Sequence, residues 1–193
     1  MVAVHDMVPA SSWTDAYFDD LLVRAAQDDP AVFAELYRRH VDRVYRSLVG
    51  RLGDADLAQD LTAQTFLAAL EGLRDYRGEG AFAAWLLRIA RNKAMDHFRR
   101  TRRTVPLEAV VEMADPAPPP DDVAVRRLDL AQVAHAFHTL TVERAEAVGL
   151  RVFGGLSMAE VGRVMGKSEA AVKMLVQRGL RDLQAQLAVA RNE

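Results

Sequence analysis

Apolar positions recur along the chain at one-turn intervals, in runs punctuated by Gly, Pro and Asp, and that rhythm predicts helices. The clearest run opens at Asp29-Pro30, a capping acid followed by proline at the first helical position. Phe33, Leu36, Tyr37, Val41, Val44, Tyr45, Leu48 and Val49 then keep the helical period for about five turns, and Gly50 and Gly53 are expected to end it. Before it, residues 1–18 are mixed and expected to fray, with Asp19 or Asp20 capping a short helix through Leu21, Leu22 and Ala25. After it, Asp56 and Gln59 resemble a capping box for a helix that carries Leu57, Leu61, Phe66, Leu67 and Leu70 and stops near Gly72. The turn Arg77-Gly78-Glu79-Gly80 precedes a further run in which Phe82, Leu86, Ile89 and Ala90 share one stripe. No segment sustains the period of two that a half-buried strand needs, so the expected fold class is all-α.

Residues 104–127 break the rhythm. Pro106, Pro116, Pro118, Pro119 and Pro120 remove donors, while Glu108, Glu112, Asp115, Asp121 and Asp122 make the stretch acidic. It reads as a semi-rigid linker between two small helical domains. The expected division is an N-terminal extension at 1–27, a first domain at 28–103, the linker at 104–127 and a second domain at 128–193. In the last, Leu128, Val133, Ala134, Phe137 and Leu140 mark one helix and Val142 to Phe153 a second. Ser157 and Glu160 then form a capping box, with Leu156 and Val161 as its hydrophobic staple. Gly166 is placed for a left-handed cap, and Ser168 caps a helix whose Val172, Leu175, Val176 and Leu180 face inward. Two helices joined by a tight glycine turn describe a helix-turn-helix.

Charge changes the picture. The 193-residue chain carries a formal net charge of −2, yet the run Tyr76–Arg103 gathers Arg77, Arg88, Arg91, Asn92, Lys93, Arg99, Arg100, Arg102 and Arg103 around the single later acid Asp96. An apolar stripe with so basic a face suits a polyanion. Interleaved Tyr76, Phe82, Trp85 and Phe98 suggest rings on which bases stack. The last helix presents Glu169, Ala170, Lys173, Gln177 and Arg178 outward, a polar face unlike a dimer seam.

Other chemistry is excluded more than suggested. The absence of cysteine removes disulfides, thiolate metal sites and cysteine nucleophiles. His135 and His138 share a helix face but lack a third ligand, so no metal and no cofactor are expected. No nucleophile–base spacing appears, and Gly78-Glu79-Gly80 is too weak for a phosphate loop; the chain does not read as an enzyme. Without a signal peptide or an apolar run of membrane length, a cytoplasmic protein with no membrane contact is expected, and no third domain is expected beyond Leu187.

FAELYRRHVDRVY (Phe33–Tyr45), YRGEGAFAAWLLRIARNKAMDHFRR and LSMAEVGRVMGKSEAAVKMLVQRGLRDL, in this order around an acidic linker, resemble an extracytoplasmic-function (ECF, group IV) sigma factor of the sigma-70 superfamily. The resemblance implies a promoter-specific transcription initiation factor. Its first domain would dock on the clamp helices of the largest subunit of core RNA polymerase and open the minus-ten element. Its second would bind the flap of the second-largest subunit and the minus-thirty-five element. It implies that Arg88 and Asn92 read DNA beside a flipped base, that the turn from Tyr76 and Arg77 to Gly80 forms that base's pocket, that Arg91 and Lys93 belong to the same minus-ten face, and that Arg99, Arg100, Arg102 and Arg103 hold phosphates. In the second domain it implies minus-thirty-five contacts from Ser168, Glu169, Ala171, Lys173, Gln177 and Arg178. For the polymerase face it implies Tyr45, Leu57, Asp60, Leu61, Gln64 and Phe66. An anti-sigma protein is the regulator usual among such relatives. A free-standing helix-turn-helix repressor is the alternative, but it leaves the basic helix without a task.

One stretch departs from the family pattern. Its acidic signature is here Leu57-Ala58-Gln59-Asp60-Leu61-Thr62-Ala63-Gln64-Thr65-Phe66, in which only Asp60 keeps its charge. Each lost charge-assisted partner could weaken docking by about 1–3 kcal/mol. Two accounts follow. Either Leu57, Leu61 and Phe66 compensate by apolar contact, or docking is conditional on phosphate placed at Thr62 or Thr65 by a Ser/Thr kinase.

Overall fold

The computed structural model describes residues 12–78, 81–104, 136–137 and 139–190, and among them shows helices and turns but no strand. The α-helices are α1 (Ser12–Asp28), α2 (Phe33–Leu52), α3 (Ala55–Gly72), α4 (Phe82–Thr104), α5 (Val142–Val152), α6 (Met158–Met165) and α7 (Glu169–Ala190). The all-α expectation therefore holds for the described residues. The linker, His135, His138 and most of the helix expected around Leu128–Leu140 lie outside them.

The start signal at Asp29 works as expected: its carboxylate accepts from the Ala31 amide at 3.0 Å, and Pro30 opens a short 3-10 turn into α2. Four expectations need correction. Helix α3 is capped by Asp54 rather than Asp56, its Oδ1 accepting from the Leu57 amide at 2.9 Å. Helix α2 ends at Gly53, which takes the left-handed conformation (φ 68°). Gly50 lies inside α2, and its missing side chain makes room for Phe153, since a Cβ there would stand 2.6 Å from that ring. Helix α1 begins at Ser12, earlier than fraying through residue 18 would allow. Neither Asp19 nor Asp20 caps it. Asp19 is buried mid-helix, held by Arg39 Nε at 3.1 Å and His40 Nε2 at 2.8 Å. That partnership is tertiary, so a local capping rule reads the acid wrongly.

α2 packs on α3 and α4, α1 lies against α2, and α5 and α6 both pack on α7. The two groups also meet, α2 against α5 and α4 against α6. One apolar core runs through both, joining Leu36, Val44 and Leu86 to Leu150, Leu156 and Val161. Burial of large aliphatic side chains, at about 1.5–3 kcal/mol each, is what holds such helices together. Gln27 fastens α1 to the turn before α4, donating to the carbonyls of Leu73 (2.9 Å) and Tyr76 (3.0 Å).

Candidate nucleic-acid interface

α4 turns its apolar stripe, Phe82, Leu86, Ala90 and Ala94, fully into the core. The opposite face exposes Arg88, Asn92, Asp96 and Arg99 at one-turn spacing, and Asp96 pairs with Arg99. Arg77 and Arg100 are exposed as well, and Lys93 is half-buried. The aromatic residues depart from expectation. Tyr76 is only 9% exposed, edge-on to Phe82 and tilted against Trp85. Burial above all, then Asp20 and Asp19, pushes its phenol up to about 12, with Arg163 of α6 opposing. Tyr76 and Phe82 are core residues, so neither offers a face to a base; Phe98 is exposed. Phe82 lies on the apolar side of α4 and Tyr76 in the turn before it, and packing claims both rings.

Arg91 is also corrected. Its side chain turns away from Arg88 and Asn92 and donates to Glu146 of α5, a carboxylate only 7% exposed. Arg51 of α2 stands 3.8 Å from the same carboxylate. Burial lowers the Arg51 pKa from its ordinary value, Glu146 works against that, and Arg91 adds to it. The sequence reading missed Glu146 and Arg51. A signal existed: Glu146, Leu150 and Phe153 share one stripe of α5, and an acid on an apolar stripe needs a partner.

The helix-turn-helix is built as its sequence suggests. Glu160 N–H donates to Ser157 Oγ at 3.2 Å and Ser157 N–H to Glu160 Oε2 at 2.7 Å, completing the capping box. Gly166 closes α6 in the left-handed conformation (φ 67°). Gly162 lets the elbow close, since a Cβ there would lie 2.7 Å from the Lys167 carbonyl oxygen. Ser168 Oγ accepts from the Ala171 amide at 3.3 Å and so caps α7. Val172 and Val176 are buried, Leu175 and Leu180 half-buried, and Ser168, Glu169, Ala171, Lys173, Gln177 and Arg178 are all exposed. Lys167–Glu143 (2.7 Å) and Arg144–Asp182 (2.6 Å) brace the elbow and α7 against α5.

On α3 the exposed face holds Gln59, Asp60, Gln64, Leu67 and Leu70, while Tyr45 and Leu57 are half-buried. Tyr37, exposed beside them on α2, rests edge-on against Phe66 with ring centroids 4.7 Å apart. Leu61 and Phe66 are core and have no face left for a partner. Thr62 and Thr65 are 5% and 0% exposed, and their hydroxyls donate to the carbonyls of Ala58 (2.7 Å) and Leu61 (2.6 Å). Back-bonded in this way, a threonine packs like valine. A kinase cannot reach either hydroxyl, and a phosphate would have to enter the core, so the phosphorylation account is overturned. The spacing Ala58, Leu61, Thr62, Thr65, Phe66, Ala69 already follows the buried stripe.

Among the described residues, no helix is long and apolar enough to cross a membrane, and no three acids or histidines converge to hold a metal ion. Residues 36–104 match the family Sigma-70 region 2, and residues 130–183 match Sigma-70, region 4. The chain is 37% identical over 178 residues to the ECF RNA polymerase sigma factor BldN of Streptomyces coelicolor, covering 91% of this chain and 67% of that one. It is 32% identical over 183 residues to the RNA polymerase sigma factor NccH of Alcaligenes xylosoxydans xylosoxydans, covering 90% and 97%. Its fold is similar to that of CnrH in complex with the cytosolic domain of CnrY (TM-score 0.71, 26% identity, covering 89% of this chain and 97% of that one). A basic helix face followed by a helix-turn-helix, each matched by its own region, leaves the repressor alternative without support. The chain belongs to the ECF sigma-70 family of RNA polymerase sigma factors, non-enzymatic proteins that direct transcription initiation at promoters.

Proposed function

We infer that the chain is a group IV member acting in the cytoplasm, with region 2 at 28–103, a linker at 104–127 and region 4 at 128–193. Arg88 and Asn92 read the minus-ten element. Arg77, Lys93, Arg99 and Arg100 hold its phosphates, which position without specifying. Lys173, Gln177 and Arg178 reach base edges or phosphates of the minus-thirty-five element, and Ser168, Glu169 and Ala171 lie at the phosphate-facing start of α7. The carrying observation is the pairing of two exposed polar faces, on α4 and α7, each backed by a buried apolar stripe.

For polymerase docking, Asp60 and Gln64 act with half-buried Leu57 and Tyr45, and the exposed Tyr37, Leu67 and Leu70 take up part of the role of the missing acids. A protein partner, as the cytosolic domain of CnrY is for CnrH, is the proposed means of control in place of a kinase.

Run-off transcription with core RNA polymerase tests the assignments. Arg88→Ala with Asn92→Ala should lower discrimination between the parent and a substituted minus-ten element about 5- to 150-fold, the range of one good base contact. Lys173→Ala with Arg178→Ala should act only through minus-thirty-five. Unchanged discrimination at minus-ten in the first variant would overturn the α4 assignment. DNA binding and repression without any need for polymerase would restore the repressor reading.

A further inference from the structure

The two promoter elements named above are centred about 25 base pairs apart, or about 85 Å along B-form DNA. In this structure the two reading helices are neighbours. α6 packs on α4 and α7 packs on α6, and helices in contact have axes about 8–10 Å apart. A molecule so folded cannot serve both elements at once, so it must open to work.

The contact that would have to break is specific. Glu146 of α5 sits almost fully buried between Arg91 of α4 and Arg51 of α2, accepting from the Arg91 Nε and lying 3.8 Å from an Arg51 terminal nitrogen. The Nε of Arg51 is buried without a hydrogen-bond partner, so the carboxylate is the main compensation for that cation. Beside the pair, the Phe153 ring occupies the gap left by Gly50, and Gly154 lies so close to Leu87 that a Cβ would stand 2.9 Å from its Cδ1. A surface ion pair contributes little, but removing one partner of a buried one leaves an uncompensated charge. Arg91 also stands on the helix whose outer face is assigned to DNA.

We propose that Glu146 is an intramolecular latch: by holding Arg51 and Arg91 of the first helical group it keeps the free chain closed, and promoter reading requires its release. The closed form stands on the geometry above; its inhibitory effect rests on the reading of α4 as the minus-ten helix. The latch explains why an acid occupies the apolar stripe of α5, and why a glycine occupies the middle of α2 where alanine would favour the helix.

The test uses the full chain, which lacks cysteine. Asp42→Cys and Gln184→Cys, at exposed positions of the two groups, take a donor and acceptor dye. The parent should show high energy transfer. Glu146→Ala and, separately, Gly50→Leu should lower it, the first by stranding two arginines and the second by displacing Phe153. Gly50→Leu changes no charge and suits a helix, so it decides the matter if Glu146→Ala unfolds. Arg51→Glu should open the chain, and Arg51→Glu with Glu146→Arg should close it again. Undiminished transfer in both opening variants overturns the latch.

A labelled duplex carrying both elements with its minus-ten segment unpaired, followed by fluorescence anisotropy, reads the inhibition, because the closed chain leaves the α4 face exposed yet cannot reach both elements at once. Affinity rises by the inverse of the open fraction, so opening should tighten binding on the order of tenfold or more. Lower transfer with unchanged affinity overturns the inhibitory role. Adding Arg88→Ala to the open variant then locates the fault. If that substitution weakens binding, α4 reads DNA and only the inhibition fails; if it changes nothing, the assignment of α4 fails.

Discussion

Replacing Thr62 by Glu would imitate part of a phosphate's negative charge, and here it should break the first helical group rather than activate it. Thr62 is 5% exposed on the core side of α3, with buried Leu61, Thr65 and Phe66 along the same stripe. Its hydroxyl is satisfied by the Ala58 carbonyl at 2.7 Å. Thr62→Val would forfeit that bond, about 0.5–1.5 kcal/mol, and gain about 0.8 kcal/mol from the added buried methyl, for a net change within about 1 kcal/mol. Thr62→Glu adds volume to a filled site, about 1–3 kcal/mol, and either strands a carboxylate at several kcal/mol or forces it to stay protonated. The sum, about 4 kcal/mol or more, is a large share of the 5–15 kcal/mol typical of a domain. Urea unfolding followed by circular dichroism reads it directly: at about 1–3 kcal/mol per molar urea, the midpoint of Thr62→Glu should fall by more than about 1 M, while Thr62→Val stays near the parent. A Thr62→Glu protein with the parent midpoint, and above all one that binds core polymerase more tightly, would refute the packing argument and revive the kinase.

Three further outcomes follow from the packing of the same helices. With the Tyr76 phenol raised from about 10 to about 12, the folded state holds its proton while the unfolded state loses it. Stability tied to this group is therefore intact below about pH 10 and falls between about pH 10 and 12. Tyr76→Phe should flatten that part of the profile, measured as the difference in urea midpoint between pH 9 and pH 11. Gly162→Ala, ordinarily favourable in a helix by about 1 kcal/mol, should instead destabilise by about 1–3 kcal/mol because its Cβ meets the Lys167 carbonyl, and should weaken binding to minus-thirty-five duplex; an unchanged melting temperature would count against the close elbow. Asp19→Asn should cost about 1–3 kcal/mol by weakening its bonds to Arg39 and His40, visible as a lower urea midpoint, with no loss expected if α1 were merely frayed.

Much of the fold was legible because its determinants are local. Asp29-Pro30, the Ser157–Glu160 box and Gly166 act within four residues of themselves, and each does in the structure what its chemistry suggests. The misreadings share one cause, a residue whose partner is remote in sequence. Asp19 looked like a cap because acids often are, but its partners lie 20 and 21 positions away. Gly50 looked like a stop, yet the helix runs on and the glycine serves a ring 103 positions later. Tyr76 and Phe82 looked like stacking platforms because they alternate with arginines, although Phe82 starts the apolar stripe of α4, opposite Arg88 and Asn92, and Tyr76, in the turn before α4, packs edge-on against it.

The arginines of α4 show where reading a charge run has to stop. Composition counts Arg88 and Arg91 alike, and both belong to a basic helix in an acidic chain. Three residues of helix turn them about 60° apart, enough to send one to solvent and the other to Glu146. No rule of spacing assigns Arg91 to that carboxylate, since its partner lies 55 residues away, beyond the proline-rich stretch of the sequence. A basic run thus indicates how much polyanion a helix could hold, while burial of a single acid on another helix decides how much of that charge is free to hold it. In this chain the acid lies on the apolar stripe of α5, so the charge available to DNA depends on how the two helical groups are packed.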